Sequence, residues 1–401
     1  MPDKDTQAIV VGSGPAGLTA AVALAAGGIK TVLIGKRPAA NDNRTTALLA
    51  GSVTALTELG VWKLCADQAA PLRVMRIVDD TGRLWRGPEV KFDAQEIRLE
   101  AFGYNIENRH LIAALERRAH ALANLRIIED EVLSVTPGGR AATIALKSGG
   151  ALQAQLVIGA DGRRSLCRDA AGIGFDEHDY PQIALTVCLQ HSRPHRDTST
   201  EFHTPSGPFT LVPLPGRRSS LVWVLDPADA NDLAALDDSE LAGEIERASH
   251  SILGKIDVGP GRGQFSLTRA KAKRFAANRV ALVGEAAHVI PPIGAQGLNL
   301  GLRDAATIGE LASTTHRAGR DIGGINMLAA YDKMRRADVG SRTLAVDLLN
   351  RTLLTDFLPV QSARGLGLYL IDRIGPLRRA VMREGVAPRA SQPKLMRGET
   401  S

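Results

Sequence analysis

The residues with the clearest chemical meaning lie near the start of the chain, in Gly12-Ser-Gly14-Pro-Ala16-Gly17. This Gly-x-Gly-x-x-Gly spacing suits a diphosphate. Gly12 permits a sharp turn, Gly14 lets a pyrophosphate reach the backbone, and Gly17 lets a helix pack closely on a strand. The free N–H groups that open the helix then face the phosphates. The flanking elements fit that reading. Ala8–Val11 reads as a short buried strand, residues 18–26 as a helix ended by Gly27-Gly28, and Thr31–Ile34 as a second buried strand. Together they form a βαβ unit of about thirty residues, the size of a parallel crossover.

One usual partner is missing. An acid commonly ends the second strand and accepts a ribose hydroxyl. Here Gly35 stands in that place, followed by Lys36-Arg37. The ribose is then held otherwise or more weakly, and an acid restored at position 35 is expected to tighten binding.

Two further stretches carry candidate chemistry. The first is Gly159-Ala-Asp161-Gly162-Arg-Arg-Ser165-Leu-Cys-Arg168. Taken alone, its Asp-Gly pair is also ordinary turn chemistry. The second begins Val283-Gly284-Glu285-Ala-Ala-His288-Val-Ile-Pro291-Pro292-Ile-Gly294-Ala295-Gln296-Gly297-Leu298-Asn299 and continues to Arg303-Asp304. With the glycine turn, these motifs stand in the order and spacing of a known family. The chain resembles the class A flavin-dependent aromatic hydroxylases, in the branch that hydroxylates ubiquinone precursors. The resemblance covers about residues 5–385. The Pro-Pro-x-Gly-Ala-x-Gly-Leu-Asn core is also similar to that of para-hydroxybenzoate hydroxylase.

The resemblance implies an α/β fold of the para-hydroxybenzoate hydroxylase kind. A Rossmann-like FAD-binding domain would carry a second, mainly antiparallel β-sheet substrate domain and C-terminal helices. It implies FAD contacts from Gly12, Gly14, Ala16 and Gly17, and from Arg44 in the Arg-x-x-Ala-Leu stretch that follows the second strand. A solvated surface arginine is the other reading of Arg44. Asp161 and Gly162 match a site near both FAD and the entering nicotinamide. Glu285 replaces the family's aspartate, which holds a ribityl hydroxyl. Gly294, Ala295, Gln296, Gly297, Leu298 and Asn299 match the segment along the isoalloxazine ring, where a helix N-terminus faces its polar edge. Pro292 matches a position whose carbonyl faces a phenol hydroxyl. His288 either relays protons or packs at a helix start.

In this family reduced FAD and O2 form a flavin hydroperoxide that the phenol ring attacks. The cofactor carries the hard chemistry, so no nucleophile or acid–base dyad is expected. The protein orients the ring, excludes water and favours the phenolate. The sequence shows no second dinucleotide fingerprint, which leaves the reductant as NAD(P)H or an electron-transfer protein.

These motifs must be positioned by separate elements. Residues 1–75, 101–180 and 269–335 read as a discontinuous FAD-binding domain, and 76–100 with 181–268 as the substrate domain. Residues 336–385 read as a helical segment broken at Pro359 and Gly375-Pro376, and 386–401 as a flexible tail. Over 181–225 apolar and polar residues alternate with Pro and Gly punctuation, as in antiparallel sheet. Stretches there, such as Gly207-Pro208-Phe-Thr-Leu-Val-Pro213-Leu214, resemble the ubiquinone-hydroxylase substrate domain. His191, His195 and His203 fall in this strand pattern with Pro194 between the first two, so a helical metal pair is not indicated and no metal is expected.

Composition bounds the rest. The chain has 401 residues, 44% hydrophobic and 23% charged, ordinary for a globular protein of two or three domains. Three scattered cysteines argue against a disulfide framework and for a reducing compartment. Residues 6–29 lack charge, but their glycines and the acids before them do not suit a signal peptide or a spanning helix. The net charge of +6 is matched by residues 361–397, with eight Lys or Arg against two acids. A basic face for nucleic acid is therefore not indicated. The basic end, with Leu366, Tyr369, Leu370, Ile374, Leu377 and Val381 near helical spacing, is either a packed helical layer or a membrane-surface element.

Partners implied by the resemblance are a prenylated phenol, O2 and other quinone-biosynthesis proteins. Localisation reads as cytoplasmic, with peripheral contact on the inner face of the membrane as its variant. Two rival functions are a hydroxylase of a small soluble phenol and a non-catalytic flavin-fold subunit of a biosynthetic complex.

Overall fold

A computed structural model describes residues 6–37, 44–82, 88–291, 295–354, 373–386 and 392–399, with 343–354 as backbone only. The first apolar runs become parallel strands because both their faces are covered. β1 (Ala8–Val11) pairs with β2 (Thr31–Ile34), and every residue of both strands is buried. α1 (Pro15–Ala26) crosses between them. Next come β3 (Thr45–Leu49), α2 (Ala50–Glu58) and β4 (Ala69–Pro71), then β5 (Val74–Asp79), β6 (Val90–Asp93) and β7 (Gly103–Glu107). α3 (Asn108–His120) leads into β8 (Leu125–Ile128). β9 (Val132–Thr136), β10 (Ala142–Leu146) and β11 (Ala151–Ala154) form a small antiparallel sheet before β12 (Leu156–Gly159) and α4 (Leu166–Ala170).

The chain then changes character. β13 (Phe175–His191), β14 (Thr198–His203), β15 (Pro208–Leu214) and β16 (Arg218–Leu225) are antiparallel neighbours in the order β13-β16-β15-β14. α5 (Pro227–Ala235) and α6 (Asp238–Ala248) follow, the latter opened by a capping box between Asp237 and Glu240. β17 (Ile256–Val258) and β18 (Gly263–Ala272) return to β13. β5 and β6 extend the same sheet beyond β14, so one nine-stranded sheet collects residues from both sides of β7.

The last part rejoins the first. β19 (Ala276–Ala277) and β20 (Val280–Leu282) complete a six-stranded sheet of order β19-β20-β12-β1-β2-β8. β21 (His288–Val289) pairs with β18 and joins the two large sheets. α7 (Gln296–Arg317) packs on α1 through small residues: a Cβ on Gly301 would lie 3.2 Å from Ala16, and one on Gly309 would lie 2.8 Å from Ala23. α8 (Ile325–Leu354) is anchored by Tyr331, which is fully buried and donates its hydroxyl to the Leu282 carbonyl at 2.7 Å. α9 (Gly375–Val386) begins at the expected Gly375-Pro376 break, whereas Pro359 lies outside the described residues.

The expected flexible tail over 386–401 does not hold for residues 392–399. Residues 394–397 form a 3-10 turn that buries Leu395 and Met396 against α2 and α7, and Glu310 accepts from the Lys394 N–H at 2.9 Å.

Candidate active site

The glycine turn sits where β1 meets α1. Gly12 has φ +112°, and a Cβ there would collide with the Ala160 carbonyl. A Cβ on Gly17 would collide with Gly12 itself. Gly14 differs: a Cβ there meets nothing within 4 Å, and the residue is the N-cap of α1. Two glycines thus let the protein close on itself, and the third leaves bare backbone beside open space at a helix N-terminus. Ala16 faces the other way. A Cβ on Gly284 would come within 3.1 Å of it, so Ala16 is a packing contact between α1 and the third motif.

Gly35 is not an open position. A Cβ there would lie 2.7 Å from the Ser13 backbone nitrogen and 2.8 Å from its hydroxyl, inside the glycine turn. Ser13 also donates to the Lys36 carbonyl. The expectation that an acid at 35 would tighten binding is therefore corrected: it would displace the turn it was meant to help.

The Asp-Gly motif forms a closed turn at the end of β12. One Asp161 oxygen accepts from the Ser165 hydroxyl at 2.6 Å and the other from the Cys167 N–H at 3.0 Å. Ser165 in turn caps α4 through the Arg168 N–H at 2.9 Å. Gly162 has φ +79° and no neighbour for a Cβ. Arg168, buried over the Phe175 ring, donates to the carbonyls of Arg163 at 2.9 Å and Ala286 at 3.2 Å. It ties the second motif to the third. Sequence spacing gives no sign of that link, which spans more than a hundred residues.

Between the third motif and the nine-stranded sheet lies a cavity of about 720 Å³. Arg44, Thr45, Glu285, Val289, Ile290 and Pro291 form one side. The sheet supplies apolar wall from β13, β16 and β18: Ala184, Val222, Phe265 and Leu267. Arg163 lines the cavity while held by Glu177 at 3.2 Å and the Thr268 hydroxyl at 3.1 Å. Cys188 also lines it, and burial pushes its thiol up, so it stays protonated. Glu285 is the carboxylate among the described lining residues; it is exposed and has no hydrogen-bond partner among the described residues.

The third motif leads into α7. Ala295 is left-handed at φ +53° and opens the helix. Asn299 is not free for a ligand. Its oxygen accepts from the Leu49 N–H at 2.8 Å and the Ser52 hydroxyl at 2.7 Å, and its amide donates to the Ala47 and Ala295 carbonyls. It fastens α7 to β3 and α2. Gln296 accepts from Arg342 at 3.2 Å, Gly297 is exposed with open space around it, and Leu298 packs on the core. Pro292 and Gly294 lie outside the described residues.

The residues matching 5–344 are those of the FAD binding domain family. The chain belongs to this FAD-binding family. Ubiquinone hydroxylase UbiL of Rhodospirillum rubrum is 36% identical over 99% of this chain and 94% of its own length. The 3-demethoxyubiquinol 3-hydroxylase of Escherichia coli is 32% identical over 96% of this chain and 99% of its own. The crystal structure of p-nitrophenol 4-monooxygenase PnpA from Pseudomonas putida superposes with a TM-score of 0.78 at 19% identity, covering 96% of this chain and 98% of that one. That likeness establishes the fold. The chain is thus an FAD-dependent hydroxylase of the ubiquinone-hydroxylase family.

The site of this flavoprotein fits FAD. Bare Gly14 at the start of α1 suits a diphosphate, and the unpartnered Glu285 carboxylate can accept a hydroxyl. Arg44 lines the same cavity as Glu285. His288 does not line the cavity. Its Nε2 lies 2.7 Å from Asp304, whose other oxygen accepts from Arg335 Nε at 2.6 Å, and Arg335 also reaches Asp338 at 2.6 Å. All four are buried. Burial opposes ionisation of Asp304, but the facing His288 and Arg335 outweigh it and hold the carboxyl below the usual range. This buried cluster was not legible, because Arg335 and Asp338 carry no motif.

His191, His195 and His203 are spread over backbone and side-chain partners. His191 reaches the Arg193 carbonyl and Ser219, His195 the Leu214 and Gly216 carbonyls, and His203 reaches Glu201.

Proposed function

We propose that this flavoprotein hydroxylates the aromatic ring of a polyprenylated phenol in ubiquinone biosynthesis. The observation that supports the reading is the cavity, lined on one side by Arg44, Glu285, Val289, Ile290 and Pro291 and on the other by strands of the nine-stranded sheet. FAD, when bound, supplies the oxygen activation. The chain's own residues supply the rest. Ala184, Val222, Phe265 and Leu267 present an apolar wall on which a ring can lie, and Thr186 and Ser220 line the same face. Such a wall strengthens every polar contact made inside it. The Pro292 position, outside the described residues, supplies a carbonyl to the phenol hydroxyl in this reading. Arg44 faces the cofactor phosphates, and Glu285 a ribityl hydroxyl. His288 acts as a positioning residue, holding the loop through Asp304 rather than passing protons into the cavity.

Electrons come from NAD(P)H or an electron-transfer protein. A substrate with a prenyl chain is borne by the bilayer, so peripheral contact with the membrane belongs to the same reading.

The test is turnover by purified, FAD-loaded enzyme with a prenylated phenol and with its unprenylated counterpart, followed by mass analysis. A single added oxygen on the prenylated compound supports the assignment. Hydroxylation of the soluble phenol alone overturns it in favour of a small-molecule hydroxylase. Colourless protein that binds no FAD points instead to a non-catalytic subunit.

A further inference from the structure

The nine-stranded sheet has a second recess, on the face turned away from the cavity. Strand pairing sets Lys91, Arg76, Thr200 and Leu211 opposite one another in a single row across β6, β5, β14 and β15. Side chains at paired positions share a face. The next pairing sets Leu211 against Leu221, so Ser220 and Val222 of β16, which line the cavity, point to the other side. Along the row lies a pocket of about 380 Å³. Its floor is buried and holds Thr200, Leu211, Ser219 and Leu253. Its rim is cationic, with Arg76 and Lys91 from the row and Arg193 and Arg196 from the connection between β13 and β14. No carboxylate is among the described lining residues.

The connection that carries two of these arginines is fastened on both sides. His191 reaches the Arg193 carbonyl at 2.7 Å and the Ser219 hydroxyl at 3.0 Å. His195 accepts from the Asp197 N–H at 3.1 Å and faces the Leu214 and Gly216 carbonyls with its other nitrogen. Asp197 pairs with Arg73 at 3.0 Å. Arg196 and Asp197 are both left-handed, at φ +53° and +54°. Residues with a side chain hold that conformation only where the surroundings over-determine it.

The rim carries more positive charge than its acids answer. Glu89 serves both Arg76, at 2.6 Å, and Lys91, at 3.1 Å. Arg76 Nε is buried and has no hydrogen-bond partner among the described residues. Arg193 donates to the neutral Ser251 carbonyl, and no carboxylate pairs with it or with Arg196 among the described residues. Such a rim favours a ligand with more than one negative charge and several acceptor oxygens, and a phosphate has both. Arginine forks match its oxygens two at a time.

We infer that this pocket binds a phosphate-bearing ligand. The phosphate lies among Arg76, Lys91, Arg193 and Arg196, and the less polar part of the ligand lies over Leu211 and Leu253. The site is on the opposite face of the sheet from the cavity, so it is separate from the positions argued above for FAD and substrate. A soluble phosphate ester and a lipid headgroup share this chemistry, and the two arms of the test separate them.

The test uses full-length, FAD-loaded protein. One arm titrates it with pyrophosphate by calorimetry. The other sediments it with phosphatidylcholine vesicles, with and without phosphatidylglycerol. Saturable binding of pyrophosphate assigns a soluble ligand, and sedimentation with the anionic vesicles alone assigns a headgroup. In either arm, Arg193→Gln with Arg196→Gln is expected to weaken binding by about tenfold or more, because charge-assisted hydrogen bonds are lost. Arg117→Gln with Arg247→Gln removes the same charge from exposed positions outside the pocket and should change binding by less than about twofold. Flavin absorbance shows that both double variants keep their FAD. Binding in neither arm overturns the inference. So does binding that the two double variants weaken equally, since that reports only the overall charge.

Discussion

His288 Nε2 stands 2.7 Å from the Asp304 carboxylate, with both side chains almost completely buried. Gly284 in the third motif also donates its N–H to that carboxylate, at 2.9 Å. The acid that ends the motif therefore fixes its beginning, and Arg335 from α8 supplies the balancing charge.

Asp304→Asn removes that charge and leaves Arg335 buried with less compensation. Breaking a buried ion pair from one side costs about 3–5 kcal/mol. Thermal unfolding of the variant should show a loss of that order. The pH dependence has a definite sign. The Asp304 carboxyl is held below its ordinary value in the folded protein, so its stabilisation is present above about pH 4, its unfolded value, and is lost as pH falls through the folded one. The Asn variant should lose less stability than wild type on acidification. Parallel acid-unfolding curves would contradict this.

Gly14→Val and Gly17→Val should fail in different ways. At Gly14 a Cβ meets no protein atom, so the variant folds but blocks the approach of the diphosphate and is purified colourless. At Gly17 a side chain collides with the Gly12 backbone, so folding itself suffers. Circular dichroism and flavin absorbance separate the two. A yellow, FAD-loaded Gly14→Val would refute the placing of the diphosphate.

Much of the first βαβ unit was legible because its signals are local: apolar runs, a glycine turn and a glycine helix end. The cavity was legible in part. Arg44 and Glu285 reach it, whereas Arg262 and Phe265 were not foreseen, because the pairing of β18 with β13 brings them there, and Arg163 was not, because its turn is held to Glu177 on β13 and Thr268 on β18. Asn299, expected along the ring, spends its polar atoms on β3, α2 and the Ala295 carbonyl, partners that no local signal announces. Asp161 shows the ordinary turn reading at work: its carboxylate is engaged by the Ser165 hydroxyl and the Cys167 N–H just after β12.

Gly35→Glu should weaken FAD binding, since the new side chain must displace Ser13 in the glycine turn. Overpacking of this kind costs about 1–3 kcal/mol. Titration of apoprotein with FAD measures it, and Gly35→Ala isolates the steric part. Tighter binding by the glutamate variant would show that the turn yields easily.

Glu285→Ala should lower FAD affinity by about 1.5–3 kcal/mol, the worth of a hydrogen bond to a charged group. Glu285→Asp should retain most of the affinity, because the shorter acid keeps the acceptor. The same titration reads both. An unchanged alanine variant would remove Glu285 from the cofactor site.

The central claim is most directly tested by deleting the gene and identifying the quinone precursor that accumulates. The account predicts a prenylated phenol lacking one ring hydroxyl, with ubiquinone restored by the wild-type gene and not by the Gly14→Val variant. Unchanged ubiquinone content in the deletion strain, with no precursor accumulating, would contradict it.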